Sequence, residues 1–191
     1  ELTQLQYFLL RGNNPSSNII DVRELNGVKI DINRPVDSLS HNYSIEVLKL
    51  YKKYDPSVRL ATEAEWENGA RAGVETVYYH GNNVEYLAEN AVYGRDWNTG
   101  STEIIASRKP NKWGLYDMSG NLWEWLSDRY ASCSNTSVND PQGTETSSNR
   151  VMRGGSWNGF AGLVRLSIRA GYRPWGTSYH FFGVRFARDI P

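Results

Sequence analysis

The chain contains a single cysteine, Cys133, among its 191 residues. One cysteine excludes an internal disulfide, a multi-cysteine zinc site and two-thiol redox chemistry. Cys133 lies in a polar stretch, and neither a histidine nor a basic residue is adjacent to activate its thiol. We therefore expect an inert cysteine.

The sequence also lacks long apolar runs and an excess of either charge. No run approaches the roughly 20 apolar residues that a transmembrane helix needs, and Glu1 to Gln4 show no basic start leading into an apolar stretch. Lys plus Arg total 21, as do Asp plus Glu. The pattern predicts no direct membrane insertion by this chain, and the balance of charge argues against nucleic acid as a partner.

Three amphipathic helices are predicted within the first 75 residues. They cover residues 3–10, residues 44–54, and a segment that starts at a capping box formed by Thr62 and Glu65. Beyond residue 75, short aromatic runs alternate with Gly, Asn, Ser and Asp, which is typical of strands and long loops. The sequence predicts a single loop-rich α+β domain over residues 1–191.

Charge is uneven along the chain although it sums to zero. Residues 151–191 carry six arginines and one acid, a net charge of +5, and the preceding residues carry −5. Arginine suits bidentate or buried pairing. We expect these side chains to pair with acids of the first half of the chain: Arg153, Arg165, Arg169, Arg173, Arg185 and Arg188.

Three separated strings carry a family resemblance: residues 59–67 (RLATEAEWE), residues 113–125 (WGLYDMSGNLWEW), and residues 153–157 (RGGSW) with GVRF at 183–186. In this order they resemble the formylglycine-generating-enzyme (sulfatase-modifying factor) family over about residues 34–187. The resemblance implies a C-type-lectin-like fold, with the first strand of the usual domain lying before residue 1. The tryptophans and glycines of the strings predict buried, tightly turned architecture: Trp113, Trp123, Trp125, Trp157, Gly120, Gly154 and Gly155.

The family resemblance also implies a calcium site. The matching positions are Asp117 and Glu124 through their side chains and Gly120 and Leu122 through their carbonyls. Hard oxygen ligands of this kind suit calcium. Alternatively, Glu124 caps backbone amides or pairs with an arginine. No cofactor is required by the sequence, so calcium is the one candidate.

The family's catalytic chemistry is not expected here. Catalytic members use two cysteines just beyond the Gly-Gly-Ser string, whereas residues 158–164 read NGFAGLV and contain no sulfur. Without a thiolate there is neither the nucleophile nor the soft-metal ligand. His41, His80 and His180 are scattered along the chain and do not form a metal-binding motif. The sequence predicts a protein that is not an enzyme.

Residues 153–187 resemble the variable region of diversity-generating-retroelement proteins, which adenine-directed mutagenesis rewrites between fixed ends. Such rewriting of an AAC codon never yields Lys, Glu, Gln, Met or Trp. Residues 158–182 contain one of these five types, Trp175, against 29 in the other 166 positions. The resemblance implies a monomeric variable binding protein that is exported or on the cell surface, with a lipoprotein as one form of attachment. Its partner would be an unknown protein or surface ligand.

Aromatic residues interleaved with glycine, serine and arginine are typical of binding surfaces. We expect Trp157, Arg165, Arg169, Pro174, Arg185 and Phe186 to support the fold and most intervening residues to be exposed. The candidate ligand-binding residues are Asn158, Gly159, Phe160, Gly162, Leu163, Leu166, Ala170, Gly171, Tyr172, Arg173, Trp175, Gly176, Ser178, Tyr179, His180 and Phe181.

Two other functions stay open at this point. One is a catalytically inactive or divergent sulfatase-modifying domain with a fixed structural role, in which the C-terminal segment is an ordinary buried hairpin. The other is a calcium-dependent sugar binder, although Asn98, Asn139 and Asp140 do not form a paired sugar-ligating motif.

Overall fold

The computed structural model describes residues 1–132, 141, 143–176 and 178–189. Cys133, Asn139 and Asp140 lie outside the described residues, as does half of the polar stretch 132–149. The sequence-based expectations for these positions are therefore not addressed by the structure.

Side-chain caps set the starts of the three helices α1 (Gln4–Arg11), α2 (His41–Tyr51) and α3 (Glu63–Arg71). The predicted starts of α1 at Thr3 and of α3 at the Thr62–Glu65 capping box are confirmed, and Thr3 also forms a capping box, with Gln6. Helix α2 begins three residues earlier than predicted, because the hydroxyl of Ser40 accepts the Tyr43 N–H. The α-helices of the described residues all lie within the first 75, as expected.

The strands are short and pair mostly over long sequence distances. In chain order the elements that complete the fold are β1 (Arg23–Leu25), β2 (Val28–Ile30), β3 (Val58–Leu60), a 3₁₀ turn (Val84–Glu89), β4 (Trp123–Arg129), β5 (Arg150–Arg153), a second 3₁₀ turn (Ala161–Val164), β6 (Ala170–Tyr172), β7 (Phe182–Val184) and β8 (Phe186–Arg188). β1 pairs with β2, and β3 with β8. The central sheet has the order β6-β5-β4-β7, in which only β4 and β7 are parallel.

Strand β4 lies at the centre of the core. Trp125 and Leu126 are completely buried on its two faces. The Trp125 indole N–H donates to the Leu39 carbonyl at 2.8 Å, and its ring lies 5.4 Å from the ring of Phe182 on β7. Because the indole donor is satisfied, this large side chain is buried without leaving an unpaired polar group.

Two of the family strings interlock through backbone hydrogen bonds. Gly120 N–H donates to the Gly154 carbonyl at 2.8 Å, and Trp157 N–H donates to the Asn121 carbonyl at 2.9 Å. Gly155 has a φ of +77°, and a Cβ there would collide with the Leu163 carbonyl, so a tight turn requires glycine. Trp123, Trp125 and Trp157 are buried as expected. Trp113 is 56% exposed, so the expectation of burial was wrong for that tryptophan.

Three of the C-terminal arginines pair with acids that precede residue 151, and two of the three use acids of the first half of the chain as expected. Arg153 is buried between α3 and the sheet, where it contacts Glu67 and lies 3.4 Å from Glu63. Arg169 also binds Glu63, at 2.5 Å, and Arg185 binds Glu124. Arg165 is different, because it is exposed and donates to the nearby Gly162 carbonyl. The expectation that Arg165 supports the fold was wrong.

No helix among the described ranges combines the length and the apolar character that a bilayer crossing requires.

His41, the first residue of α2, is buried with its ring 5.7 Å from the Trp125 ring. Burial and the charges of Arg150 and Arg129 lower the pKa of His41 from 6.5 to about 4. In the unfolded chain this imidazole takes up a proton near pH 6.5, so acidification from there towards pH 4 stabilises the unfolded state. Protonation of His41 in the unfolded chain should therefore lower the free energy of unfolding by up to about 3 kcal/mol between pH 6.5 and pH 4.

The matched variant His41→Gln separates this contribution from that of the other titrating groups. Urea denaturation gives the free energy of unfolding at pH 7 and at pH 4.5. Its decrease from pH 7 to pH 4.5 should be about 2 kcal/mol smaller in the variant than in the parent chain. An identical pH dependence in both proteins would show that His41 is not held neutral by the fold.

Candidate functional site: an aromatic surface near the C-terminus

Six aromatic side chains form what we call the C-terminal aromatic surface: Trp97, Tyr172, Trp175, Tyr179, His180 and Phe181. Five of them come from β6 and the segment that joins it to β7. Tyr172 ends β6, and the remaining four precede β7. The exposed fractions of Tyr172, Trp175 and Tyr179 are 37%, 57% and 41%. These rings are accessible to a ligand.

A buried aromatic floor supports the exposed rings. Phe182 is completely buried, and its ring centroid lies 4.9 Å from Tyr172, 5.3 Å from Tyr179 and 4.9 Å from Phe181. Phe182 rests in turn on Trp125. Edge contacts of this kind favour defined ring orientations. The rings of Tyr172, Tyr179 and Phe181 are therefore oriented before any ligand arrives, which lowers the entropic cost of binding.

Trp97 belongs to this surface, although no sequence pattern points to it. Its ring lies 4.8 Å from His180 and 5.5 Å from Phe181, and it is 52% exposed. The loop that carries Trp97 is tied to the C-terminal segment, because Arg95 N–H donates to the Trp157 carbonyl at 2.9 Å. Trp97 and His180 lie some 80 positions apart in the sequence, so sequence patterns do not predict their contact.

A shallow depression of about 450 Å³ opens beside the aromatic surface. Tyr172 and Trp175 line it together with Arg173, Gly171, Gly176 and Asn149. It offers two rings, a guanidinium and an amide to one ligand group, a combination that suits a side chain of a protein partner.

The structure places most of the predicted ligand-binding residues at the surface. Exposed positions are Phe160, Tyr172, Arg173, Trp175, Gly176, Ser178 and Tyr179, and partly exposed positions are Asn158, Gly162, Leu163, Ala170, Gly171, His180 and Phe181. Leu166 is completely buried among Trp66, Met118 and Leu126, and Gly159 is buried. Leu166 and Gly159 cannot touch a ligand in this fold, so their inclusion was wrong.

The residues matched to calcium ligands lie in a buried polar network centred on Glu124. The Trp66 indole N–H donates to Glu124 Oε2 at 2.6 Å, and Arg185 donates from Nη2 to Oε1 at 2.8 Å and from Nε to both oxygens. Burial acts to raise the pKa of Glu124, but the Arg185 guanidinium holds it below its usual value. Glu124 therefore pairs with an arginine, one of the alternatives open from the sequence.

These contacts do not fit calcium at Glu124, because a guanidinium already covers both of its oxygens. Asp117 accepts the Ala106 N–H at 2.8 Å, and burial raises the pKa of its carboxyl. The Leu122 N–H donates to the Glu1 carboxylate at 3.1 Å. Among the described residues, no group of three or more acidic, histidine or cysteine side chains is arranged to hold a metal. Calcium at Asp117, Gly120, Leu122 and Glu124 stays a prediction.

The three histidines lie in separate environments, as expected. His41 is buried against Trp125, His80 stacks on Tyr78 at 5.4 Å, and His180 lies on the aromatic surface. Residues 158–164, where the family resemblance implies cysteines in catalytic members, contain the second 3₁₀ turn and no thiol.

Comparisons with known proteins agree with this architecture. Among solved structures, Treponema denticola variable protein 1 superposes with a TM-score of 0.85 at 26% identity, covering 98% of this chain and 82% of that one. The formylglycine-generating enzyme of Thermomonospora curvata is 32% identical over 177 residues, or 82% of this chain and 56% of the relative. The inactive C-alpha-formylglycine-generating enzyme 2 of Mus musculus is 35% identical over 130 residues, or 61% and 38%.

The chain thus spans less than two thirds of the length of these two curated relatives. Its mixed helices and sheets have the C-type-lectin-like arrangement of formylglycine-generating-type structures, as the sequence predicted. Residues 16–190 match the sulfatase-modifying factor enzyme 1-like domain, and the chain belongs to that family.

Proposed function

We propose that this protein is a non-enzymatic ligand-binding domain whose C-terminal aromatic surface is diversified by a retroelement. The observation that carries the proposal is the layering of this segment. Exposed rings at Tyr172 and Tyr179 lie over the fully buried Phe182, which packs on Trp125, and the exposed Trp175 lines the depression beside Tyr172. Side chains of the upper layer can change without altering the layer that holds the backbone.

Two further observations support the proposal. The absence of a cysteine pair removes the nucleophile and copper ligands that the resemblance associates with catalysis. The similarity to a treponemal variable protein extends over 98% of the chain. The ligand fits a protein or another surface that presents apolar groups, and the domain would act as a monomer, exported or held at the cell surface.

Paired libraries test whether the layering permits diversification. One library randomises Tyr172, Trp175 and Tyr179, and the matched control randomises the buried Trp157, Leu166 and Phe182. Both libraries are displayed on yeast and treated with a protease that cleaves unfolded chains. Most members of the first library should resist cleavage, and most members of the second should be cleaved. Equal survival would contradict the proposal, as would loss of nearly all members of the first library.

A second candidate is a catalytically inactive sulfatase-modifying-type domain with a fixed structural role, favoured by the similarity to an inactive mouse relative. Sequencing the same locus in sibling isolates separates the two functions. Diversification predicts differences confined to residues 158–182 and concentrated at the exposed codons, with Gly159, Leu166 and Phe182 unchanged. Identical sequences, or differences spread evenly along the chain, would support the structural role.

A further inference from the structure

A second concave surface lies between α2 and the ends of β4 and β5 that face it. This groove has a volume of about 1150 Å³. The residues of its lining that matter here are His41, Lys49, Ser127, Arg129, Arg150 and Trp175. Arg129 and Arg150 precede the proposed variable region, so the groove is built largely from fixed parts of the chain.

Two arginines stand directly opposite each other in this groove. Arg129 on β4 and Arg150 on β5 are register partners of the antiparallel pair, which places both side chains on one face of the sheet. Like charges in this relation repel each other. Arg129 also contributes to a lowered pKa of Arg150, after the larger effect of burial. An anion between the two guanidinium groups would remove the repulsion.

The protein itself supplies no such anion among the described residues. Arg129 donates from Nη1 to the Ser147 carbonyl at 2.7 Å, and Arg150 from Nη1 to the Ser127 carbonyl at 2.6 Å. No described carboxylate comes within 4.0 Å of either guanidinium. Each guanidinium group thus uses one nitrogen to bind a backbone carbonyl and keeps further N–H donors for a ligand. The neighbouring Asp128 is engaged, because it accepts the Glu63 N–H at 2.8 Å.

The acids elsewhere in the groove are neutralised. Glu46 binds Arg11 at 3.0 Å, and Glu65 binds Arg59 at 2.7 Å. Lys49 adds another cation to the lining. The groove therefore has a positive end at Arg129 and Arg150, and the exposed ring of Trp175 stands at its margin.

We propose that this groove binds a carboxylate-bearing peptide segment, with Arg129 and Arg150 holding one carboxylate and Trp175 covering the adjacent chain. Planar guanidinium forks match carboxylates in a bidentate manner. The hydroxyls of Thr62, Ser127 and Ser148 along the lining offer hydrogen bonds to an extended backbone. The groove shares Trp175 with the C-terminal aromatic surface, but Arg129 and Arg150 lie outside the proposed variable region, so the carboxylate site does not depend on the diversified function.

Fluorescence anisotropy with a labelled Glu-Ser repeat peptide tests the proposal, with the matching Gln-Ser peptide as the uncharged control. At about 50 mM salt the Glu peptide should bind at least tenfold more tightly than the Gln peptide, and about 300 mM salt should weaken it. Arg129→Gln and Arg150→Gln should each lower the affinity about tenfold. Arg188→Gln, an equal charge change at the exposed end of β8, should leave it within about twofold.

The variants are expected to fold, because removing one arginine relieves the repulsion between the pair. If either glutamine variant does not fold, Arg129→Lys or Arg150→Lys keeps the charge without the fork and should still weaken the Glu peptide severalfold. Equal binding of the two peptides, or no effect of the arginine changes, would overturn the proposal. Tighter binding of inorganic phosphate than of the Glu peptide would also overturn it, in favour of a free-oxyanion site.

The aromatic surface provides the remaining arm of the experiment. Tyr179→Ser should leave binding of the Glu peptide unchanged, since Tyr179 does not line the groove. Failure of peptide binding would therefore reject this groove and leave the diversified surface standing. Failure of the paired libraries would reject the diversified surface and leave the groove intact.

Discussion

Replacing Glu124 with alanine should destabilise the protein by about 3 to 5 kcal/mol. The change leaves the Arg185 guanidinium without its counter-charge and the Trp66 indole N–H without an acceptor. Breaking one partner of a buried ion pair is costly because the remaining charge stays desolvated. Urea denaturation followed by tryptophan fluorescence measures the loss directly.

Two controls separate the ion pair from general loss of packing. Glu124→Gln keeps an acceptor for Trp66 but not the charge, so it should cost less than alanine. The double variant Glu124→Leu with Arg185→Met should be more stable than the sum of its single changes implies. A negligible loss in Glu124→Ala would mean that this network does not stabilise the fold.

The same proteins test the predicted calcium site. With Arg185 covering Glu124, millimolar calcium should shift the melting temperature of the parent chain by less than about 1 °C. A rise of several degrees that disappears in Glu124→Ala would instead support calcium binding at Asp117, Gly120, Leu122 and Glu124.

Truncating Trp157 to alanine should cost about 3 to 5 kcal/mol. Its side chain is completely buried, packs with Val92 and Leu122, and donates its indole N–H to the His180 carbonyl at 3.2 Å. The cavity would open directly beneath Trp97 and His180. Differential scanning calorimetry and urea denaturation should both report the loss.

Serine substitutions on the aromatic surface are the matched comparison. Trp175→Ser should change stability by no more than about 0.5 kcal/mol, and Tyr172→Ser and Tyr179→Ser by about 1 kcal/mol because they lean on Phe182. Phe181 is partly buried against Phe182 and Trp97, so its replacement should cost more. Losses of about 3 to 5 kcal/mol at Tyr172, Trp175 and Tyr179 would favour the ordinary buried hairpin and the fixed structural role.

Local signals predicted the helices well. The capping boxes of Thr3 and Thr62 depend on residues three positions apart, and both are present. The start of α2 was misplaced because apolar spacing begins at Ile45, whereas the cap that sets the boundary is Ser40. The motif strings identified the fold because they supply its buried tryptophans and tight turns.

Contacts between residues far apart in the sequence could not be predicted from local patterns. Trp97 joins His180 through a loop without regular structure, and no periodicity marks it. Leu166 is expected from its neighbours to be an exposed ligand-binding residue. Its N–H donates to the Val77 carbonyl, and its side chain lies in the core. The opposition of Arg129 and Arg150 follows from strand register, which emerges only when β4 and β5 pair.

The strand order of the central sheet has a consequence for loop length. β6 and β7 lie on opposite edges and run parallel, so the nine residues 173–181 must cross three strand spacings, roughly 14 Å, and also return along β5 from the level of Arg150 to just beyond Arg153, roughly 13 Å. The two displacements combine to roughly 19 Å, whereas nine residues can extend roughly 30 Å, so about a third of the contour is spare. Because closure entropy grows only as the logarithm of length, foreign peptides inserted between Arg173 and Phe181 should be accepted at little thermodynamic cost. Variation in length, as well as in side chains, is therefore open to this domain.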